Sequence, residues 1–481
     1  MRQKLIHVEQ VRASDSRDAR ILKLTYRPTK VINDKVYDIR VETEILNPSL
    51  NIKEVEIKLI PVEYPHFITS YGMRKEDYLK VFPPEDVRTV RFIPSRVERE
   101  AFSTIFQNLK GGREYVISAR LRDSLGKVVE KEVKTQYIRQ FENLGKQLYE
   151  KGIIVSASYM PWNMKEIVGK YNLPDKPLLG LYDTFDDVVE WKHIDWAGYC
   201  GVNVFWIDLY GVERGVFLKM LNKEILVGGM WGPSPEYSRG TLIGLPEWAI
   251  DLKNLSNEEL FLKDIEIFSQ FSSHANYLKI HNRPAIFLYD AMALFREEAS
   301  FNKAKSFFRE KHGREAYFVS DTLPRIPTTP DDEYIKTLFK YKDLNSTDAL
   351  TSWVGFMDNS RENRKYAENY DDYYEDHLRI WSNYTRSLNK EFVPTVIPGF
   401  YNGYSWGEQD QIPIARSPNL FYNRLLSALK YSENHIRIDT WNDFGEWTYI
   451  EPSVKEGFAY LSKLREVLLE FSSTSEGGRQ P

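Results

Sequence analysis

The sequence predicts an α/β protein in which a (β/α)8 TIM barrel follows an N-terminal all-β sandwich. Three observations support this prediction. The 481 residues are too many for one hydrophobic core, residues 20–138 form short β-rich runs separated by turns, and the rest alternates apolar strands with amphipathic helices. The predicted boundaries are 1–140 for the sandwich, 141–472 for the catalytic barrel and 473–481 for a flexible tail.

The first region is typical of an antiparallel sandwich. About seven strands are expected at this spacing, among them Tyr37–Leu46, Val55–Val62, Thr89–Ile93 and Glu114–Arg122. The segment NLKGGREYVISARLRDSLGK resembles the later strands of a fibronectin type III-like module. We therefore expect a sandwich of the fibronectin type III or immunoglobulin-like kind.

The second region contains the strands of the barrel. Helix starts are indicated by the capping box of Ser256 with Glu259 and by Ser417 followed by Pro418. A barrel of this kind places its catalytic groups at the carboxyl ends of the strands. The eight strand candidates are Ile153–Ser156, Val202–Leu209, Leu226–Met230, Ala285–Tyr289, Tyr317–Ser320, Ala349–Trp353, Val393–Ile397 and Ile436–Thr440.

Composition excludes several classes of protein. Apolar residues make up 42% and charged residues 28%, as in packed soluble proteins. The net charge of -4 comes without a basic stripe, so nucleic acid is not expected as a partner. Cys200 is the single cysteine, and neither a secretory signal nor an apolar run of about 18 residues is found. We expect a cytoplasmic protein without a membrane span, and its oligomeric state stays open.

The densest cluster of reactive side chains follows the eighth predicted strand. Asp443 and Glu446 are three residues apart, and Trp441 and Trp447 flank them. Glycoside cleavage needs one protonated and one ionised carboxyl group. Spacing alone leaves the alternative of a solvated helix cap about equally open, and the position at a strand end favours catalysis.

The pair predicts a carbohydrate substrate. Glu446 is expected to have the higher pKa, through desolvation beside Trp447 and the charge of Asp443. The other strand ends are rich in aromatic and polar side chains that suit sugar binding. The predicted substrate-binding residues are Tyr159, Trp162, Asp208, Tyr210, Trp231, Tyr289, Asp290, Trp353, Tyr401, Asn402, Trp441, Asn442, Trp447 and Tyr449.

Competing chemistries have weaker support. The GYSWG segment at Gly403–Gly407 has the form of a nucleophile elbow, but Pro413 follows too soon for the helix that the elbow requires. The eight histidines form neither H-x-H nor H-E-x-x-H, and no Walker A or Rossmann fingerprint occurs. We therefore expect neither a metal nor a cofactor. His193 is expected to be a packing or surface residue rather than a ligand.

A family resemblance rests on several motifs in order. SYMPWN, PLLGLYDTFDDVVEWKHIDWAGYCGVNVFWID, HANYLKIHNRPAIFLYD, TDALTSW and TWNDFGEWTYIEP together resemble glycoside hydrolase family 99 and the related WbsX-like proteins. The resemblance implies a retaining enzyme that cleaves within α-mannoside chains without metal. It implies that Asp443 deprotonates the sugar 2-hydroxyl to give a 1,2-anhydro intermediate, and that Glu446 is general acid and then base. This sequence departs from the family pattern at two positions, with Asp443 in place of Glu and Trp447 in place of Gly. The shorter Asp443 side chain changes how far its carboxylate reaches, and Trp447 changes the width of the substrate groove.

The leading hypothesis is thus a retaining glycoside hydrolase for an α-linked polysaccharide or oligosaccharide. The alternatives are a WbsX-like enzyme that assembles or trims surface polysaccharide and a non-catalytic glycan-binding protein. Because every candidate catalytic group lies beyond Glu150, the sandwich is expected to be dispensable for chemistry.

Overall fold

The computed structural model describes residues 18–171, 173–208, 213–240, 245–355, 360, 364–406 and 411–475. The chain divides into two compact units. The first combines Met1–Tyr64 with Phe82–Gln140, and the second combines Pro65–Val81 with Phe141–Pro481. The first unit is all-β and the second is α/β.

The first unit consists of two antiparallel sheets. Alternate side chains of both sheets, such as Val41 and Ile117, meet in one buried cluster because successive residues of a strand point to opposite faces. The predicted antiparallel sheets are confirmed, whereas the fibronectin type III or immunoglobulin-like identity stays a prediction. One sheet is formed by Arg20–Ile32, Lys35–Leu46 and Arg99–Phe106, and the other by Arg88–Phe92, Ile52–Pro61, Tyr115–Asp123 and Val128–Lys134.

The second unit is built on a parallel sheet whose strands are almost wholly buried. Each of the eight predicted stretches overlaps one of these strands, which confirms the α/β class. In chain order, the first six and the eighth strands are Ile154–Tyr159, Val204–Asp208, Leu226–Trp231, Arg283–Leu288, Tyr317–Asp321, Ala349–Thr351 and His435–Ile438.

The seventh strand is divided into two short pieces. Glu391–Phe392 pairs with the sixth strand, and Thr395–Val396 pairs with the eighth, which in turn pairs with the first. Pro394 lies between the pieces and has no N–H to donate, although its carbonyl oxygen accepts from the Arg437 amide (3.0 Å). The parallel sheet therefore curls back on itself in the manner of a TIM barrel.

Helices connect the strands of the second unit. Ser417 caps the helix that begins at Pro418, as predicted. The predicted capping box at Ser256 is wrong, because Asn254 accepts from the Ser256 and Asn257 amides and begins that helix. The α-helices are His66–Thr69, Lys75–Val81, Leu144–Glu150, Met164–Lys170, Asp187–Cys200, Glu213–Leu221, Leu255–Phe271, Glu298–His312, Glu333–Phe339, Arg364–Glu368, Tyr370–Ser387, Gly403–Trp406, Pro418–Tyr431 and Ala459–Ser475.

The last helix is longer than predicted. The last helix continues to Ser475, into the segment predicted as a flexible tail, and residues 476–481 lie outside the described part of the chain. Within the ranges that the structure describes, no helix is long and apolar enough to cross a bilayer.

Residues 65–81 belong to the second unit although they lie within the segment predicted as the sandwich. The Asp186 carboxylate accepts from the Tyr71 hydroxyl (3.0 Å) and pairs with His66 (2.8 Å). The buried Lys192 ammonium donates to the Val81 carbonyl oxygen (2.5 Å). A chain that begins near Gln140 would lack this carbonyl acceptor of the buried lysine, at a cost in stability. We therefore expect residues 65–81 to contribute to the stability of the second unit, while the dispensability of the sandwich for chemistry stays a prediction.

Candidate active site

The residues after the eighth parallel strand form a tight turn that carries both predicted carboxylates. The Asp443 amide donates to Thr440 Oγ1 (2.9 Å), and the Glu446 amide donates to Asp443 Oδ1 (2.9 Å). The Thr448 amide then donates to the Asp443 carbonyl oxygen (3.2 Å). Asp443 and Glu446 thus lie on one turn at the carboxyl end of a barrel-like strand, where barrel enzymes have their catalytic groups.

Burial distinguishes the two carboxylates. Asp443 is 3% exposed, whereas Glu446 is partly exposed. Burial, and next the negative charge of Glu446, raise the pKa of Asp443 well above its ordinary value, although the Glu446 and Gly445 amides act in the opposite direction. Desolvation, which the sequence analysis considered for Glu446, is thus found at Asp443. No Lys or Arg in the described part of the chain pairs with Asp443.

The turn is joined to the end of the first strand by Asn442. The Asn442 carboxamide accepts from the Met160 amide (2.8 Å) and donates to the Met160 carbonyl oxygen (2.8 Å). It also donates to the Tyr182 hydroxyl (3.3 Å), and Asn442 is completely buried. This side chain thus links two strand ends, and its predicted contact with substrate stays a prediction.

A buried polar network extends from this link. The Tyr182 hydroxyl donates to Glu451 Oε2 (2.7 Å), and Glu451 Oε1 lies 3.2 Å from His193 Nε2. The other ring nitrogen of His193 is 2.9 Å from the Tyr159 hydroxyl. These four residues are buried. Of the two positions expected for His193, packing or surface, the structure shows the packed one, within a polar network.

We expect Tyr182→Phe to lower the free energy of unfolding by about 1–3 kcal/mol, because the buried Glu451 carboxylate loses a hydroxyl donor. Urea unfolding at neutral pH measures this difference. Tyr334→Phe, at a tyrosine that is 48% exposed, is the matched control and should be neutral. A Tyr182→Phe protein within about 0.5 kcal/mol of the wild type would contradict the importance of the network.

The ends of the fourth, fifth and sixth strands form a second polar group. Arg325 donates to Asp290 Oδ1 (2.8 Å) and to Asp321 Oδ2 (3.1 Å), and its guanidinium lies over the Tyr289 ring. Trp353 packs edge-on against Tyr289, with ring centroids 4.6 Å apart. Burial raises the pKa of the Tyr289 phenol, and the negative charge of Glu446 contributes to that increase. Tyr289 and Glu446 are therefore close enough to interact electrostatically.

Below these groups, an ion pair is buried within the sheet. Arg437 donates to Asp439 Oδ1 (2.8 Å), and both side chains are completely buried. The Ser158 hydroxyl donates to the same oxygen (3.0 Å), while the Val354 amide donates to Asp439 Oδ2 (3.0 Å). The Asp439 carboxylate is thereby hydrogen-bonded on both oxygens, which makes it a structural charge rather than an available base.

Three partly exposed aromatic side chains lie beside Glu446, and we call them the aromatic wall: Tyr401, Tyr404 and Trp447. The Tyr401 amide donates to the Glu446 carbonyl oxygen (2.9 Å). Tyr404 is edge-on to Tyr401 (4.7 Å between centroids) and to Trp447 (6.2 Å). Surfaces of this kind suit the C–H faces of sugar rings.

The fourth to eighth strands and the turn lie within a segment that matches a known family. Residues 252–464 match the family described as "Glycosyltransferase WbsX". The resemblance to WbsX-like proteins is confirmed. The WbsX-like segment begins before the fourth strand and includes the Asp443–Glu446 turn and the aromatic wall.

One curated protein is similar to a short part of this chain. A curated relative, "Ascus wall endo-1,3-alpha-glucanase" of Schizosaccharomyces pombe, is 32% identical over 69 residues. That match spans 14% of this chain and 15% of the relative.

Two solved structures are similar over most of their length. One is a "Glycoside hydrolase-like protein", with 18% identity, a TM-score of 0.51, and coverage of 66% of this chain and 93% of the other. The other is the GH99 endo-alpha-mannosidase from Bacteroides thetaiotaomicron, with 15% identity, a TM-score of 0.48, and coverage of 67% and 98%. At 18% identity, the first of the two supports the fold of this chain and no more.

The predicted substrate-binding residues that the structure describes fall into two groups. Asn442 and five others are buried or nearly so and lie behind the surface: Tyr159, Trp231, Trp353, Trp441 and Tyr449. Tyr210 lies outside the described residues. The partly exposed ones are Trp162, Asp208, Tyr289, Asp290, Tyr401, Asn402 and Trp447.

Packing accounts for the buried aromatic residues. The Trp231 indole donates to Asp264 (3.2 Å), and Tyr449 is stacked between Phe444, at 3.8 Å between ring centroids, and Arg416. Strand ends carry core residues as well as surface ones, and residue type alone does not separate them.

Sequence reasoning missed several residues that support the site. Arg437 and Asp439 alternate on the eighth strand, a spacing that places both side chains on one face and could have indicated an inward-facing pair. Arg325 and Glu451 carried no such local signal, because their partners are distant in the chain. No group of three or more His, Cys, Asp or Glu side chains among the described residues is arranged to hold a metal ion.

Proposed function

We propose that this protein is a glycoside hydrolase that cleaves α-linked oligosaccharides or polysaccharides, on a complete (β/α)8 barrel. The supporting observation is the pair of carboxylates on one turn, with Asp443 buried and Glu446 partly exposed. Glycoside hydrolysis requires two carboxyl groups in different protonation states. Unequal burial favours that difference, because the deeper group keeps its proton at a higher pH.

The pair operates as a unit that holds one proton. In the free protein the proton resides on Asp443, whose pKa is raised by burial and by the charge of Glu446. Glu446 is the member exposed to an incoming glycosidic oxygen. When a sugar displaces water, the proton is transferred to Glu446, which donates it to the leaving oxygen. Asp443 is then ionised and accepts the proton of the 2-hydroxyl, as the family 99 resemblance implies for a retaining reaction.

The substrate class follows from the surroundings of the pair. The seven partly exposed residues named above would contact the sugars, and the buried ones would shape the surface behind them. Tyr210 remains a predicted contact. The α-linkage is supported by the name of the curated relative, an endo-1,3-α-glucanase.

A second candidate, glycosyl transfer, is favoured by the description of the matched family. Transfer would use the same two carboxylates, but a sugar hydroxyl would replace water as the acceptor. The two functions therefore differ in product and not in site.

Product analysis tests the proposal. The protein is incubated with α-1,3-linked glucotetraose or α-1,2-linked mannotetraose in water enriched in oxygen-18. Hydrolysis should give shorter sugars that carry oxygen-18 at the new reducing end, with retained anomeric configuration by nuclear magnetic resonance. The Asp443→Asn, Glu446→Gln double variant is the inactive control.

Other products separate the alternatives. Longer sugars without the heavy isotope would indicate transfer. Absence of any product from either sugar would overturn the proposed hydrolase, and measured binding in that case would support a non-catalytic glycan-binding protein.

A further inference from the structure

Trp447 has a backbone conformation that its side chain disfavours. Its φ is +62°, in the left-handed region that glycine adopts readily and bulky residues rarely do. It is the position at which the family pattern described above has Gly. A glycine would relieve this conformation, and yet the chain has its largest side chain there.

The surrounding hydrogen bonds keep the backbone of Trp447 in place. Its carbonyl oxygen accepts from Arg416 Nη1 (3.1 Å). The Arg416 side chain is 1% exposed, pairs with Glu456 (2.7 Å), and lies over the rings of Tyr449 and Tyr460 at 4.0 and 4.2 Å from their centroids. The strained residue therefore cannot relax without disrupting a packed guanidinium.

This conformation places the indole in the aromatic wall, directly after Glu446. The ring stays partly exposed and packs edge-on against Tyr404, while Tyr401 is fixed to the Glu446 carbonyl oxygen. Partly exposed aromatic rings next to a carboxylate form a surface that stacks on the apolar face of a pyranose. Strain that persists beside reactive groups often has a functional reason.

We propose that Trp447 is a specificity-determining residue that stacks on the sugar next to the cleaved bond. This deepens the proposed function and rests on it. Because the indole occupies the space that glycine would leave open, the substrate class is an unbranched α-linked chain whose C–H face is unsubstituted at that sugar. A chain branched on that face would clash with the indole.

Two pairs of variants separate stacking from a structural role. Trp447→Ala and Trp447→Gly both remove the ring, but only glycine relieves the backbone. Leu50→Ala and Leu50→Gly are the matched controls, since Leu50 has a φ of +51° and is 47% exposed in the first unit. The probes are α-1,3-linked glucotetraose and α-1,2-linked mannotetraose.

We expect both Trp447 variants to raise KM for the cleaved tetraose at least about tenfold, which corresponds to about 1.4 kcal/mol, with kcat changed much less. Trp447→Gly should unfold about 1–3 °C above Trp447→Ala. Leu50→Gly should likewise exceed Leu50→Ala in unfolding temperature and leave KM unchanged.

An unchanged KM in folded Trp447→Ala would overturn the proposal, as would Trp447→Gly unfolding no later than Trp447→Ala. If the wild type cleaves neither tetraose, calorimetric titration with the same sugars distinguishes the two ideas. Binding that Trp447→Ala weakens tenfold would support the stacking role without the hydrolase. Equal binding by wild type and variant, or binding by neither, would overturn the stacking role.

Discussion

Glu446→Gln should lower the rate of cleavage of an unactivated α-linked tetraose by about 10²–10⁴-fold, the range that a general acid contributes. Glutamine keeps the size of the side chain and has no proton to give to the leaving oxygen. Steady-state kinetics of the tetraose that the wild type cleaves measure the loss. Glu433→Gln, at a carboxylate whose side chain is 50% exposed near the start of the eighth strand, is the matched control and should be fully active.

The leaving group tests whether Glu446 is the acid. An aryl glycoside with a dinitrophenol leaving group departs without protonation, so the first step should be largely spared in Glu446→Gln. Equal losses on the tetraose and on the aryl glycoside would remove the acid role from Glu446. Retention of more than about a tenth of wild-type activity on the tetraose would remove it from the catalytic pair.

Asp443→Asn should abolish cleavage of both substrates and at the same time stabilise the fold by about 0.5–2 kcal/mol at pH 7. The asparagine Oδ1 can still accept the Glu446 amide. The substitution also removes a buried carboxyl group that at pH 7 must take up a proton on folding, because ionisation beside Glu446 is unfavourable. The two effects have opposite signs because the carboxylate is costly to the fold and useful to the reaction.

The pH dependence follows from the raised pKa of Asp443. Between the unfolded value, about 3.9, and the higher folded value, the folded state binds more protons than the unfolded state. Wild-type stability therefore decreases as pH rises through this window. The gain in free energy of unfolding of Asp443→Asn over the wild type should be largest above this pH window and disappear below about pH 3.

Urea unfolding across this pH range measures the difference between Asp443→Asn and the wild type. Asp332→Asn is the matched control, because Asp332 is an exposed helix cap that accepts from the Tyr334 and Ile335 amides. Asparagine and aspartate cap helices about equally well, so that change should be near neutral. Destabilisation by Asp443→Asn at pH 7 would show that Asp443 is a structural cap, the alternative that its spacing left open.

The sequence by itself determined the positions of the strands and the position of the carboxylate pair. Buried parallel strands require unbroken apolar runs, and all eight predicted runs overlap strands of the curled sheet. Spacing also indicated that Asp443 and Glu446 share a turn, because a turn is local and joins residues three apart. The Ser417 cap was predictable for the same reason.

Only the tertiary structure decided how deep each side chain lies. Asn442 is bound to Met160, 282 residues away, and Tyr159 to His193, 34 residues away, so neither burial can be inferred from neighbours in the chain. The inclusion of 65–81 in the second unit depends in the same way on Lys192. Depth also raises the pKa of Asp443, because desolvation depends on every group that surrounds a carboxyl and not on its sequence neighbours.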